Sequence, residues 1–260
     1  MTKVWTAAAK INIFLKLIGR RSDGYHLISS RFVRYDDLSD KMWFEKAGRA
    51  GFEVVGDFGC ASADNTISRA LVELGRLSPS KKLFDFASSH RVVVYKQIPS
   101  GAGLGGASSN AATFLLMINE AAQLGLSKED LLQVGVRVGA DVPFFVSGEK
   151  SANVGGIGEV IAPFDEPPLP ITLKTVPIHC ETPKVYQSFR QYHSDHMEFS
   201  AAEAVGLLAM QSREILRTND PEKLNDLYLS AFKSYPELTE YREDGWFLSG
   251  SGSTFFKAAQ

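Results

Sequence analysis

The sequence predicts an α+β protein made of two domains. Strand-like and helical patterns alternate irregularly along the 260 residues, which argues against a doubly wound parallel sheet. A glycine-rich stretch at residues 99–109 stands between a β-rich run and a helical pattern. Four of the 11 prolines fall between residues 163 and 170. Because prolines interrupt regular structure, this cluster predicts the boundary between a first domain, 1–162, and a second, 163–260.

The N-terminal residues predict two paired strands. An apolar run at 10–18 ends at Gly19, and Asp23-Gly24 is a turn dipeptide. The pattern therefore predicts strands at 11–18 and 25–35 joined by that turn. Lys16 interrupts the apolar run, so we interpret the run as a buried strand and not as a signal peptide.

The rest of the first domain is predicted to mix short strands with helices. Apolar residues at helical spacing follow Asn65 and predict a helix closed by Gly75. Ser127 and Asp130 have the spacing of a capping box, which starts another helix that ends at Gly139. The remaining predicted elements are strands at 41–45, 51–55 and 91–98 and a helix that begins near Ala107.

The second domain is predicted to combine edge strands with helices. Residues 173–176 form a strand candidate, and 200–235 predicts two helices separated near Asp220-Pro221. The segment 247–260 has the pattern of a strand, a Gly-Ser turn and a second strand.

Composition excludes several classes of function. With 44% hydrophobic and 22% charged residues and a formal net charge of -2, the chain has no basic field for a nucleic acid or a membrane surface. No apolar run approaches the roughly 18–20 residues of a membrane span. Cys60 and Cys180 are far apart and lack metal-type spacing, so we expect a reducing cytoplasm.

The glycine-rich stretch predicts an anion site. Glycine lets backbone N–H groups turn toward a ligand without a Cβ in the way. A helix start directly after such a loop adds unpaired N–H groups and the positive end of the helix dipole, which together suit phosphate. A plain structural turn remains the alternative. Gly101, Gly103 and Gly106 also fit the dinucleotide fingerprint of an oxidoreductase by spacing, but the parallel strand that should close that unit is missing. The Walker pattern fails because no Gly-Lys-Ser/Thr follows.

Two further segments complete a recognisable set. Residues 7–26 contain Lys-Ile-Asn-Ile-Phe-Leu and then Gly-Arg-Arg-Ser-Asp-Gly-Tyr-His, and 139–145 reads Gly-Ala-Asp-Val-Pro-Phe-Phe. With the glycine-rich loop, these motifs make the chain resemble the GHMP small-molecule kinases over nearly its whole length. The pairing of motifs within 7–26 resembles more narrowly the members that act on a cytidine diphosphate conjugate of methylerythritol in non-mevalonate isoprenoid synthesis.

The resemblance implies both a fold and an activity. It implies an N-terminal domain like one seen in ribosomal proteins and a C-terminal ferredoxin-like domain. It also implies ATP-dependent phosphorylation of an alcohol group in a cytoplasmic monomer or homodimer that binds a small molecule, and no nucleic acid or membrane. Another GHMP kinase, of the homoserine or mevalonate type, and a non-catalytic RNA-binding module remain alternatives.

The resemblance assigns two catalytic residues. Asp141 follows a helix end and precedes Pro143, a setting that predicts a partly buried carboxylate able to accept the proton of an attacking hydroxyl. A surface aspartate is the alternative. The family match implies that Lys10 pairs with this aspartate and offsets charge on the moving phosphoryl group. Without that match, Lys10 would be interpreted as an exposed strand-edge lysine.

The remaining site residues divide by ligand. The resemblance implies that Tyr25 stacks on the cytosine and His26 hydrogen-bonds to it, that Tyr186 and Thr182 form another wall, and that Asn12 faces the substrate. The residues assigned to ATP are Asn65, Lys96, Pro99, Ser100, Gly101, Ala102, Gly103, Leu104, Gly105, Gly106, Ala107, Ser108 and Ser109. The reaction implies Mg²⁺, whose protein ligand stays unassigned, with Ser108 or Ser109 as candidates.

Overall fold

The computed structural model describes residues 2–48, 51–58, 65–192 and 197–259. Cys60 lies outside these residues. In the described chain the strands are β1 (Trp5–Arg20), β2 (His26–Lys46), β3 (Glu53–Val55), β4 (His90–Tyr95), β5 (Ser151–Gly155), β6 (Val160–Pro163), β7 (Ile171–Lys174), β8 (Phe247–Leu248) and β9 (Phe255–Ala258). The helices are α1 (Thr66–Leu77), α2 (Lys81–Ser89), α3 (Gly106–Ala121), α4 (Lys128–Val138), α5 (Val142–Ser147), α6 (Thr182–Tyr192), α7 (Met197–Ala209), α8 (Ser212–Thr218), α9 (Pro221–Leu224) and α10 (Tyr228–Ser234), followed by a 3-10 helix, Pro236–Tyr241.

The chain folds into two compact units that do not follow its order. The first unit, called the loop-helix unit here, contains Met1–Ala9, Tyr35–Ser100 and Gly105–Glu149. The second, called the strand-core unit, contains Lys10–Arg34, Gly101–Leu104 and Lys150–Gln260. The predicted domain boundary between residues 162 and 163 is a division of the sequence, whereas these two units group residues by their contacts. The boundary therefore stays a prediction.

The loop-helix unit packs helices on the end of a sheet. The last residues of β2 pair antiparallel with β4, with Lys41 opposite Tyr95, and β3 pairs parallel to β4. Helix α3 packs with α1 and α5, and most of its residues are buried, including the polar Ser109 and Asn110. Asn65 caps α1, and the predicted capping box at Ser127 starts α4.

The strand-core unit contains the start of β2 and a separate small sheet. Ser30 of β2 lies opposite Val154 of β5, and β5 pairs antiparallel with β6. In the small sheet β9 pairs antiparallel with both β7 and β8, so the predicted strand, turn and strand at the C-terminal end is confirmed. Phe255 and Phe256 are fully buried in its core.

Several predicted element lengths are wrong. The strand predicted at 41–45 is the end of the long strand β2, and α1 runs past Gly75 to Leu77. Residues 200–235 contain the end of α7 and then α8, α9 and α10, where two helices were expected. The break after α7 has a tertiary cause, because the buried guanidinium of Arg31 donates to the carbonyl oxygens of Leu208 (2.9 Å) and Met210 (3.2 Å). The chain itself carries no proline or glycine at that break.

Candidate active site

The glycine-rich stretch at residues 99–109, called the phosphate loop here, leads into helix α3. No side chain caps the first N–H groups of this helix. Gly101, Gly103 and Gly105 have φ values of 66°, 73° and 69°, in the left-handed region that favours glycine. Gly105 is the N-cap of α3 and supplies no capping side chain, whereas α1, α2 and α4 of the same unit are each capped by a side-chain oxygen. The start of α3 therefore has no side-chain cap on its first N–H groups, which is compatible with the predicted anion site.

Gly103 is required by a close backbone contact within the strand-core unit. A Cβ at this position would lie 2.1 Å from the carbonyl oxygen of Ser249 and 3.0 Å from that of Gly252. The Ser249 hydroxyl donates to the Gly103 carbonyl oxygen over 3.0 Å, and Thr254 N–H donates to Ala102 over 3.1 Å. The C-terminal Gly-Ser stretch, residues 249–253, thus packs on the first half of the glycine-rich loop.

Lys10 lies against this first half of the loop. Its backbone N–H donates to the Leu104 carbonyl over 2.9 Å, and its ammonium donates to the Gly103 carbonyl over 3.2 Å and to Asn12 Oδ1 over 2.5 Å. The side chain is buried, so the interpretation as an exposed strand-edge lysine is wrong. Asn12 is held in turn, because its amide donates to the Ser30 hydroxyl over 3.1 Å.

Asp141 lies at the start of α5 in the loop-helix unit. It is half-buried, as its setting predicts, and Pro143 follows in the first turn of the helix. Helix α5 packs against α3. The Ser108 hydroxyl oxygen lies 3.9 Å from the position that a Cβ on Gly139 would take. The Gly-Ala-Asp segment is therefore a neighbour of the first turn of α3, where the phosphate loop ends.

Lys96 belongs to a buried polar cluster with Asp40 and Asn110. Asp40 belongs to none of the motifs in the sequence. The Lys96 ammonium donates to the carboxylate of Asp40 and, over 3.0 Å, to Asn110 Oδ1. Asp40 is fully buried. The pattern of β2 contained a signal for it: Asp40 alternates with Met42, also fully buried, so it is an acid on the apolar face of a strand.

Asn65 joins the same region through helix α1. Its side chain accepts the N–H of Ile67 over 2.9 Å and caps the helix. The next residue, Thr66, donates from its hydroxyl to the Ala107 carbonyl over 2.9 Å. The start of α1 therefore contacts the start of α3. Asn65 caps α1 at this contact and so lies near the loop.

The residues assigned to cytosine form an aromatic pocket in the strand-core unit. The His26 ring packs on Tyr186, with centroids 5.4 Å apart, and edge-on to Phe189 at 5.7 Å. His26 is buried, and among the described residues its Nε2 has no hydrogen-bond partner. Burial lowers its pKa below 6.5, and the charges of Arg190 and Arg20 add to this effect, so the ring is neutral near pH 7. A buried polar atom without a partner is rare in folded proteins.

Two further residues that the resemblance assigns to the substrate, Tyr25 and Thr182, lie at the surface of the same unit. Tyr25 is 60% exposed, which leaves its ring open to stack on a base. Thr182 begins α6, and its hydroxyl lies 2.9 Å from that of Ser251 in the C-terminal Gly-Ser stretch. Thr182 therefore joins α6 to that stretch.

The described residues contain no cluster of three or more His, Cys, Asp or Glu that could hold a metal ion. Ser109 is the better-marked candidate, because its buried hydroxyl oxygen has no hydrogen-bond partner among them. In the described chain no helix is long and apolar enough to cross a bilayer.

Comparison with known proteins identifies the class. Residues 65–149 match the family described as GHMP kinases N terminal domain. The mevalonate kinase of Methanococcus jannaschii shares the fold, with a TM-score of 0.64 at 11% identity over 100% of this chain and 91% of that one. The chain therefore has this fold, and the segment that matches the GHMP kinases, residues 65–149, contains the whole glycine-rich loop.

The family within that class follows from nearer relatives. A 4-diphosphocytidyl-2-C-methyl-D-erythritol kinase of Sulfurovum sp. (strain NBC37-1) is 45% identical over 96% of this chain and 97% of its own length. The kinase of the same name from Sulfurimonas denitrificans is 41% identical over 99% and 97%. A crystal structure of 4-(cytidine 5'-diphospho)-2C-methyl-D-erythritol kinase aligns with a TM-score of 0.74 at 30% identity, covering 99% of this chain and 90% of that one. The chain belongs to this kinase family.

Proposed function

We propose that the chain transfers the terminal phosphoryl group of ATP to the 2-hydroxyl of 4-diphosphocytidyl-2-C-methyl-D-erythritol. The observation that carries this proposal is the buried His26 ring, whose Nε2 has no partner among the described residues and which packs against Tyr186. An aromatic pocket with one unpaired polar atom suits a flat base with hydrogen-bonding edges. Cytosine is such a base, and the named relatives act on a cytidine compound.

Asp141 is proposed as the general base. It would orient the attacking hydroxyl and accept its proton as the phosphoryl group moves in line from ATP to the alcohol oxygen. Its half-buried position beside the first turn of α3 supports this role. Lys10 is proposed to offset the negative charge that develops on the transferring group, a role supported by its buried ammonium on the Gly103 carbonyl.

The nucleotide is proposed to bind at the loop and the start of α3. Backbone N–H groups of residues 99–109 would hold the phosphates, and Lys96 and Asn65 would contact the rest of ATP. Mg²⁺ fits this arrangement, because the Ser109 oxygen is unpartnered among the described residues and magnesium in kinases keeps few protein ligands. Ser109, or its neighbour Ser108, would hold the ion, which neutralises phosphate charge when bound.

The cytidine end is proposed to bind in the aromatic pocket. Tyr25 and Tyr186 would stack on the base, His26 would hydrogen-bond to its edge, and Thr182 and Asn12 would contact the polar remainder of the substrate. The exposure of Tyr25 and the burial of His26 support this division of labour.

Domain roles and setting complete the proposal. Residues 1–162 would carry the ATP loop and catalytic residues, and 163–260 the substrate wall and the last Gly-rich motif. We propose that the enzyme works in the cytoplasm, where ATP and the metabolite it phosphorylates are both available. We also propose that it is a monomer or a homodimer.

A substrate panel tests the proposal. The purified chain with ATP and Mg²⁺ should consume ATP rapidly with 4-diphosphocytidyl-2-C-methyl-D-erythritol, and should consume little with mevalonate, homoserine or free methylerythritol. Phosphorus NMR of the product should show one new phosphomonoester besides the diphosphate. Faster turnover of mevalonate or homoserine would replace this proposal with a different GHMP kinase.

A further inference from the structure

A fully buried carboxylate, Asp40, lies beside the proposed nucleotide residues without belonging to any motif of the chain. It accepts hydrogen bonds from Gln97 N–H (2.6 Å), Ile98 N–H (2.9 Å) and Asn110 Nδ2 (2.8 Å), and it is paired with the Lys96 ammonium. We propose that Asp40 is a positioning residue that sets the Lys96 ammonium for ATP; this rests on the proposed nucleotide site.

The two oxygens of Asp40 have separate tasks. Oδ1 accepts both backbone N–H groups at the exit of β4, just before the phosphate loop begins at Pro99. Oδ2 accepts from Lys96 and from Asn110 in the second turn of α3. One side chain on β2 therefore connects the segment that enters the loop with the helix that leaves it.

The donor count of Lys96 leaves one N–H group for a ligand. A lysine ammonium has three donors and no acceptor. Asp40 and Asn110 take two of them. The Lys96 side chain is 13% exposed, and its ammonium lies 3.4 Å from the position that a Cβ on Gly106 would take. The third donor is thus available beside the first residue of α3, where the nucleotide is proposed to bind.

The charge of Asp40 stabilises the buried ion pair with Lys96, and it also makes Oδ2 an acceptor for the donors of Lys96 and Asn110. Breaking a buried ion pair on one side leaves an uncompensated charge and is strongly unfavourable. An amide at position 40 could still accept the two backbone N–H groups through Oδ1. Its NH₂ group, however, would oppose the donors of Lys96 and Asn110. Asp40→Asn therefore leaves the loop entry bonded and displaces the ammonium.

The test is a double-mutant cycle on ATP binding. Isothermal titration calorimetry with ATP, without the alcohol substrate, compares wild type, Asp40→Asn, Lys96→Met and the double variant. Asp40→Asn should weaken ATP binding about tenfold or more, the usual worth of one hydrogen bond from a charged donor. In the Lys96→Met background the same change should have little further effect, because the group it positions is gone. Additive losses, or unchanged ATP affinity in Asp40→Asn, overturn the proposal.

A swapped pair keeps the test decisive if Asp40→Asn does not fold. In Asp40→Asn with Asn110→Asp, the amide at 40 accepts from the backbone and donates to the new carboxylate, which also receives Lys96. This variant should bind ATP within a few-fold of wild type. A folded swapped variant that binds ATP as weakly as Lys96→Met would show that restoring the ion pair is not sufficient, and would overturn the proposal.

Glu45→Gln is the matched control. Glu45 also joins β2 to β4 through an ion pair, with Arg91 (2.7 Å), but among the described residues its hydrogen bonds go to Trp43 and Arg91 and not to residues 99–109. It should leave ATP affinity unchanged. The KM for the cytidine substrate should stay near wild type in Asp40→Asn, which a general loss of structure would not allow. If wild type binds ATP but does not phosphorylate the cytidine substrate, the proposed function fails while this cycle remains interpretable.

Discussion

The two proposed binding regions differ in how their buried polar groups are satisfied. Around Lys96, the carboxylate of Asp40 has a donor for each of its oxygens. Around His26, an imidazole nitrogen is buried without a partner among the described residues. Both regions remove polar atoms from water, which costs free energy unless a hydrogen bond replaces the lost one. The carboxylate of Asp40 is therefore fully paired in the free protein, although Lys96 keeps one donor for a ligand, whereas the His26 nitrogen gains a partner only if a ligand supplies one.

That difference predicts different responses to mutation. A change in the network of Asp40 and Lys96 breaks bonds that exist in the free protein, so it affects the fold as well as the ligand. A change in the incomplete pocket of His26 removes contacts that form mainly on binding, so it affects the ligand more than the fold. Four experiments test or sharpen this contrast.

The largest effect is expected at Asp141, outside both binding regions. Asp141→Asn should lower kcat by about 10²–10⁴, the usual range for a positioned general base. The KM values for ATP and for the cytidine substrate should change little, because the group acts mainly in the transition state. Steady-state kinetics with both substrates measure this. Asp85→Asn, an exposed carboxylate on α2, is the control, and near wild-type kcat in a folded Asp141→Asn would rule out the assignment.

The next effect concerns Gly103, where the loop contacts the C-terminal Gly-Ser stretch. Gly103→Ala combines a left-handed φ of 73° with a Cβ placed 2.1 Å from the Ser249 carbonyl oxygen. Gly125→Ala is the matched control, since it has the same φ of 73° and nothing within 4 Å of its Cβ position. The control should lose about 1–2 kcal/mol from the backbone conformation alone. Gly103→Ala should lose clearly more in urea unfolding, and equal losses in the two variants would contradict the close contact.

A smaller effect should be confined to one ligand. Tyr25→Ala should weaken binding of the cytidine substrate roughly 5- to 150-fold, since one stacking face is worth about 1–3 kcal/mol. ATP affinity and melting temperature should barely change, because the ring is 60% exposed. His26→Ala should also weaken the cytidine substrate, through lost hydrogen bonds. Calorimetry with each ligand separates the cases: selective loss of ATP in Tyr25→Ala would make this pocket the adenine site and would undo the substrate assignment.

The smallest effect is on the pH dependence of stability. Burial lowers the pKa of His26 in the folded chain below its ordinary value of 6.5. In acid the unfolded chain therefore binds a proton at this residue before the folded chain does, so stability falls as the pH drops through 6.5 and toward the lowered pKa. Melting temperatures of wild type and His26→Gln between pH 7.5 and 5.5 measure this. The wild type should lose more stability over that range, and parallel curves would mean that His26 is not buried as a neutral ring.

Much of the fold could be predicted because its signals are local. The apolar run at 10–18, the turn at Asp23-Gly24 and the capping box at Ser127 depend on neighbouring residues, and each forms the expected element. The end of α7 could not be predicted in this way, since Arg31 on a distant strand binds the carbonyl oxygens there. Likewise, Lys10 has the pattern of an exposed strand lysine until its burial is known.

The sequence by itself determined the class of the protein and the phosphate loop. Glycines at alternate positions before a helix act through their own backbone, and a backbone conformation is set by a few consecutive residues. Only the tertiary structure decided that Asp40 meets Lys96 and Asn110, and that His26 meets Tyr186. These partners are far apart in the chain. Whether a polar group is paired or left for a ligand depends on which distant residues burial brings beside it, and no local pattern contains that information.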